Sequence, residues 1–176
     1  YAFDLDNKVR TAKMQYLVHR HEMQKSDIWA GALSGITLSV KGGDNPNYRY
    51  SNFKILIKCT EKEELDKTEG FEDAAGLTEV FSASEYFFTE GDHTFPFANT
   101  HYNWDTSKNL IVQMYYDNNQ YVDTCGGSDA PSVFRYVNTA YNSSLFLKPG
   151  MFAANPGVPD STVLSVVNTT TSDDIK

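Results

Sequence analysis

Residues 77–119 hold three strand-length runs of apolar and aromatic side chains, each stopped by polar turn residues, and this pattern commits the chain to sheet. Phe81, Tyr86, Phe88, Phe95 and Phe97 supply apolar mass of the kind that packs well on a pleated surface. Glu90-Gly91-Asp92 and Asp105-Thr106-Ser107 supply turns, because Gly takes up backbone angles other residues avoid and Asp bonds its own backbone. The run Leu110-Ile111-Val112-Gln113-Met114-Tyr115-Tyr116 then stops at Asp117-Asn118-Asn119. Such a segment builds a sheet and presents a loop. Its polar residues make no recognisable catalytic arrangement.

The same period-two alternation recurs elsewhere. Ile36, Leu38 and Val40 alternate with Thr37 and Ser39, the mark of a strand with one buried face. Phe53, Ile55, Ile57 and Cys59 share a face, with Lys54 and Lys58 expected toward water. Residues 11–18, 133–137 and 144–147 read as further strands. His19 to Met23 continue the first of these, and Asp27 is expected to cap a short turn through Trp29. Residues 41–47 read as a loop. Residues 61–73 are the most charged part of the chain; Gly70 and the lack of an apolar stripe predict a solvated loop there. The expected fold is all-β, an antiparallel β-sandwich or jelly roll. The compact domain is expected over residues 1–150, and 151–176 reads as a linker-like tail with room for one extra strand.

With 176 residues, 40% of them apolar, the chain can bury a core without metal or disulfide support. Its 14% aromatic content, with eleven Tyr and eleven Phe, strengthens the all-β reading. A formal net charge of −8 argues against nucleic acid, whose phosphates need a basic surface. No run reaches the roughly 20 apolar residues of a membrane-spanning helix. Tyr1 to Asp6 lack the basic start and apolar centre of a signal peptide, and the first residue is not Met. A piece of a longer protein, or a processed form, is therefore expected.

Candidate chemistry is sparse. Cys59 and Cys125 permit one disulfide, against the plainer reading of one buried and one loop thiol. His19 and His21 would share a strand face and grip zinc if His93 or His101 approached, although scattered histidines are more often ordinary side chains. Asp117, Asn119 and Asp123 offer hard oxygens for calcium, which takes about 6–8 of them; Asp and Asn in a turn more often cap backbone. No nucleophile elbow, phosphate loop or reactive-cysteine motif is present, so no enzyme activity is expected. Trp104, Tyr102 and Tyr121 are candidate sugar-stacking rings, with Tyr48, Tyr50 and Tyr115 in the wider set. Cross-strand aromatic packing competes for all of them.

The segments YAFDLDNKVRTAKMQYLVHRHEM, GALSGITLSV, NFKILIKC, GLTEVFS, HTFPFAN and YNWDTSKNLIVQMYYDNN follow one another in an order that resembles a β-sandwich module of secreted and cell-surface proteins of Bacteroidota. Lys108 and the missing Gly after Asp105 depart from that pattern's turn. The tail VVNTTTSDDIK resembles the linker before the sorting domain of type IX secretion cargo. The resemblance implies export, an extracellular or cell-surface location, and a role in adhesion, surface assembly or ligand binding. It implies surface proteins, glycans or neighbouring domains of the same polypeptide as partners, and offers no catalytic residues. The alternatives are a carbohydrate-binding module of a secreted enzyme and a subunit that polymerises through its edge strands.

Overall fold

A computed structural model describes residues 3–5, 11–29, 31–41, 49–66, 68–98, 101–118, 132–134, 137–148, 163–167 and 169–170. These residues form an all-β, antiparallel, multi-sheet fold with a single short helix among them. In chain order the elements are β1 (Phe3–Leu5), β2 (Thr11–Val18), α1 (Arg20–Lys25), β3 (Ala32–Leu33), β4 (Gly35–Lys41), β5 (Arg49–Thr60), β6 (Thr78–Phe87) and β7 (Gly91–Pro96). They continue with β8 (Tyr102–Asn103), β9 (Asn109–Asp117), β10 (Ser132–Phe134), β11 (Val137–Asn138), β12 (Ser144–Lys148), β13 (Val163–Val167) and β14 (Thr169–Thr170).

The larger sheet has six strands in the order β13-β12-β2-β9-β5-β6, and a four-stranded sheet runs β1-β10-β4-β7. Two-stranded ladders join β3 to β8 and β11 to β14. β13 pairs antiparallel with β12, Val163 opposite Lys148.

Alternation decides the core. Ile36, Leu38 and Val40 from β4 and Phe95 from β7 share one buried cluster with Met14, Tyr16, Phe53, Ile55, Ile57, Val112, Met114 and Tyr116 from the six-stranded sheet. Phe53 sits at its centre, with ring centroids of Tyr86, Phe88 and Phe95 at 5.4, 5.5 and 5.7 Å. Offset and edge-on aromatic packing of this kind adds to the burial of apolar area.

The outer face of the six-stranded sheet is also covered. Leu17, Ile111 and Leu145 are fully buried there with Leu65, and Phe71, Leu77 and Tyr141 pack around them. Leu65 and Phe71 come from the charged segment after β5, which is a largely exposed loop as expected but lies across the sheet on these side chains. This corrects the expected exposure of Lys58: its side chain retains 12% of its accessible surface and its Nζ contacts Glu72 Oε2 at 2.8 Å. Lys54, beyond the covering segment, keeps 41%.

Helix α1 was not expected from the sequence. Its RHEMQK carries no apolar stripe, and only Met23 is buried. The ends hold it. The His19 amide donates to Glu22 Oε2 at 2.9 Å and the Arg20 amide to Asn109 Oδ1 at 3.0 Å, satisfying donors that a helix start leaves open. At the other end the amides of Asp27 and Ile28 donate to the carbonyls of Gln24 and Met23, a Schellman arrangement. Asp27 takes φ 59° within it, a left-handed conformation that a short polar side chain tolerates. It therefore closes a helix and does not open a turn.

Candidate functional site

A group of ionisable side chains lies where α1, the covering segment and the approach to β12 meet. His19 is 7% exposed and its ring stacks on Tyr141, with centroids 3.7 Å apart and planes within 8°. Its Nε2 lies 2.7 Å from the Glu63 carbonyl, which only accepts, so Nε2 carries the proton. The Glu63 carboxylate stands 3.7 Å from the same nitrogen. Tyr141 donates to Glu22 Oε2 at 2.6 Å, the same oxygen that accepts from the His19 amide. Burial, and then the Glu22 carboxylate, push the Tyr141 phenol well above its ordinary value. The arrangement clasps three segments together.

A second polar group fastens the covering segment. Gln15 donates to the Glu72 carbonyl at 3.1 Å and accepts from the Glu72 amide at 2.8 Å. It also donates to Gln113 at 2.9 Å on the neighbouring strand. The Glu72 carboxylate receives Lys58 at 2.8 Å and Lys62 at 3.2 Å. Burial pushes that carboxyl up, but hydrogen bonds and charge from the two lysines outweigh it and hold it below the usual range. Asn109 Nδ2 adds a bond to the Lys62 carbonyl at 2.7 Å.

The expected site residues fall in three places. Trp104 is 3% exposed and its indole donates to the Lys108 carbonyl at 2.9 Å, so no ring face is open for a sugar. It backs onto Gly31, where an added Cβ would lie 2.7 Å from the Trp104 carbonyl. Tyr102 is partly buried against the core, with its hydroxyl 3.6 Å from Cys59 Sγ. Burial, and then that sulfur, push its phenol up to about 12. Cys59 is half-buried and its sulfur accepts from the Asp105 amide at 3.3 Å. The turn expected at Asp105 is present: its Oδ1 accepts from the Ser107 amide at 3.0 Å and hydroxyl at 2.6 Å.

Asp117 closes β9, where its carbonyl accepts from Asn52 Nδ2 at 3.2 Å. The adjacent Asn118 side chain accepts from the Ser51 amide at 2.9 Å. Asn52 itself holds φ 52°. Asn119, Tyr121, Asp123 and Cys125 lie outside the described residues.

The histidines do not converge. His93 Nδ1 lies 2.9 Å from Tyr86 Oη, and its Nε2 lies 2.9 Å from the carbonyl and 3.2 Å from the amide of Thr89, latching the β6–β7 hairpin. His19 and His21 lie with ring centroids 5.1 Å apart. Among the described residues, no three His, Cys, Asp or Glu side chains are placed to hold a metal ion. No described helix is long and apolar enough to cross a membrane.

Sequence reasoning missed Tyr141, Glu72 and Lys13. The signal available for them was Leu17, an apolar residue on the outward register of β2, which implies a second cover over that face. One further outer-face feature is a cross-strand row: Lys13, Tyr115 and Lys54 lie side by side across β2, β9 and β5, each partly exposed. No protein-family profile, curated protein or solved structure matches the chain.

Proposed function

We propose that the chain is a non-catalytic β-sandwich module of an exported or cell-surface bacterial protein, acting in adhesion or surface assembly. The observation that supports this reading is the use made of its ionisable groups. His19, Glu22, Tyr141, Glu72, Lys58 and His93 are engaged in tying loops to sheets. A scaffold that commits its reactive groups to internal ties is suited to presenting surfaces. The segment order resembling Bacteroidota surface modules supports the exported setting, with surface proteins, glycans or neighbouring domains as partners.

Beads coated with the folded chain should attach to bacterial or host cell surfaces and be displaced by soluble chain. Attachment no greater than with an unrelated all-β protein of similar net charge would refute the reading. A second reading, carbohydrate binding, is favoured by one observation: Tyr115 is a partly exposed ring on a sheet face, whereas Trp104 is buried.

A further inference from the structure

The outer face of the six-stranded sheet divides in two. One part lies under residues 61–77. The other, at the Asp117 end of β9, carries the cross-strand row Lys13, Tyr115, Lys54, each partly exposed among the described residues. Neighbouring strands stand about 4.8 Å apart, so the two lysines flank the tyrosine roughly 10 Å from each other.

The floor of this row is aromatic. Tyr115 is half-buried, and its hydroxyl lies 3.5 Å from Asp117 Oδ2, two residues further along the same face. Burial, and then Asp117, raise its phenol above the ordinary value, so the hydroxyl keeps its proton.

The two ends of the row differ in charge. Lys54 is neutralised by Glu79, its Nζ 2.7 Å from Oε2. Lys13 has its Nζ 4.6 Å from the centroid of the Phe71 ring. Among the described residues, no carboxylate lies within ion-pair distance of it. Burial holds its ammonium below the ordinary lysine value, as for a cation short of a compensating charge.

We propose that the Lys13–Tyr115–Lys54 row binds one carboxylated sugar residue, with its carboxylate on Lys13, its ring over Tyr115 and its hydroxyls toward Asp117 and Glu79. A sugar ring carries C–H groups suited to an aromatic face. Its hydroxyls donate to carboxylates that would repel a second acidic group. That asymmetry selects a uronic acid over an acidic peptide, whose repeated carboxylates would meet Asp117 and Glu79. The proposal deepens the carbohydrate reading and rests on it.

The test is titration of the folded chain, followed by NMR or calorimetry, with a trisaccharide of galacturonic acid and with its neutral galactose counterpart. Binding of the uronide at about millimolar strength, at least about tenfold tighter than the neutral sugar, is expected. Lys13→Met keeps the aliphatic stem against Phe71 and should remove that preference, while Tyr115→Val should remove binding of both sugars. Circular dichroism of each variant establishes that the fold is retained. Equal binding of both sugars, unaffected by Lys13→Met, would overturn the acidic-sugar assignment and leave the carbohydrate reading standing. Binding of neither sugar by the unaltered chain would overturn both.

Discussion

On its inner face the six-stranded sheet meets apolar and aromatic side chains from the four-stranded sheet; on its outer face it meets a loop. The inner contact is built from Phe53, Ile55, Ile57 and Met114 against Ile36, Leu38 and Phe95, all nearly or fully buried. The outer contact has a small apolar patch, Leu17, Leu65, Ile111 and Leu145, surrounded by directed bonds from Gln15, Glu72, Lys58, Tyr141 and His19. Burial of apolar area is non-directional and scales with surface. Hydrogen bonds and ion pairs add little net stability but fix position. The inner face therefore carries most of the folding free energy, and the outer face sets where residues 61–77 lie.

The largest effect that tests this contrast is Phe53→Ala. Loss of a buried ring at the centre of the inner cluster should cost about 3–5 kcal/mol in chemical denaturation, with all strands losing protection together. A smaller loss, confined to β5, would break the comparison. Leu65→Ala removes the main apolar anchor of the covering segment and should cost roughly 2–3 kcal/mol. Here hydrogen exchange should rise first in residues 61–77, including the Leu65 amide that bonds the Asn142 carbonyl at 2.7 Å.

Glu72→Ala leaves the ammonium of Lys58 covered but without its carboxylate, an expected loss of about 1–3 kcal/mol. The intact chain should show the same weakness in acid. The Glu72 carboxyl lies below its ordinary value of 4.5 when folded, so its contribution is complete above that pH. It is lost as pH falls through the lower folded value, and exchange in residues 61–77 should quicken before the inner strands respond. The smallest effect belongs to Lys54→Ala: the pair with Glu79 is solvent-exposed, and its loss should change stability by less than about 0.5 kcal/mol.

The same division marks what the sequence made legible. Inner-face strands were readable because Phe53, Ile55 and Ile57, or Ile36, Leu38 and Val40, alternate in a way only one buried face explains. The hairpin at Glu90-Gly91 and the turn at Asp105 were readable because their chemistry is local. The outer face was not. Lys58 looked solvated because the residues that receive it, Glu72, Asp73 and Ala75, stand far along a charged run with no periodicity. Helix α1 depends on Asn109, which reaches it from another strand. Trp104 looked like a surface ring because it flanks a turn, but pairing of β3 with β8 and the bond to Lys108 turn it inward.

Gln15 reads the covering segment through main-chain atoms alone, engaging both the amide and the carbonyl of residue 72. A primary amide is the one side chain able to donate and accept toward a peptide unit in this way; glutamate at position 15 would lack the donor. The recognition is therefore indifferent to which side chain residue 72 carries. Related chains that keep Gln15 have freedom to vary composition along the segment while preserving its alignment on the sheet. Substitution at position 15 itself should let the segment slide, even where every residue of the segment is unchanged.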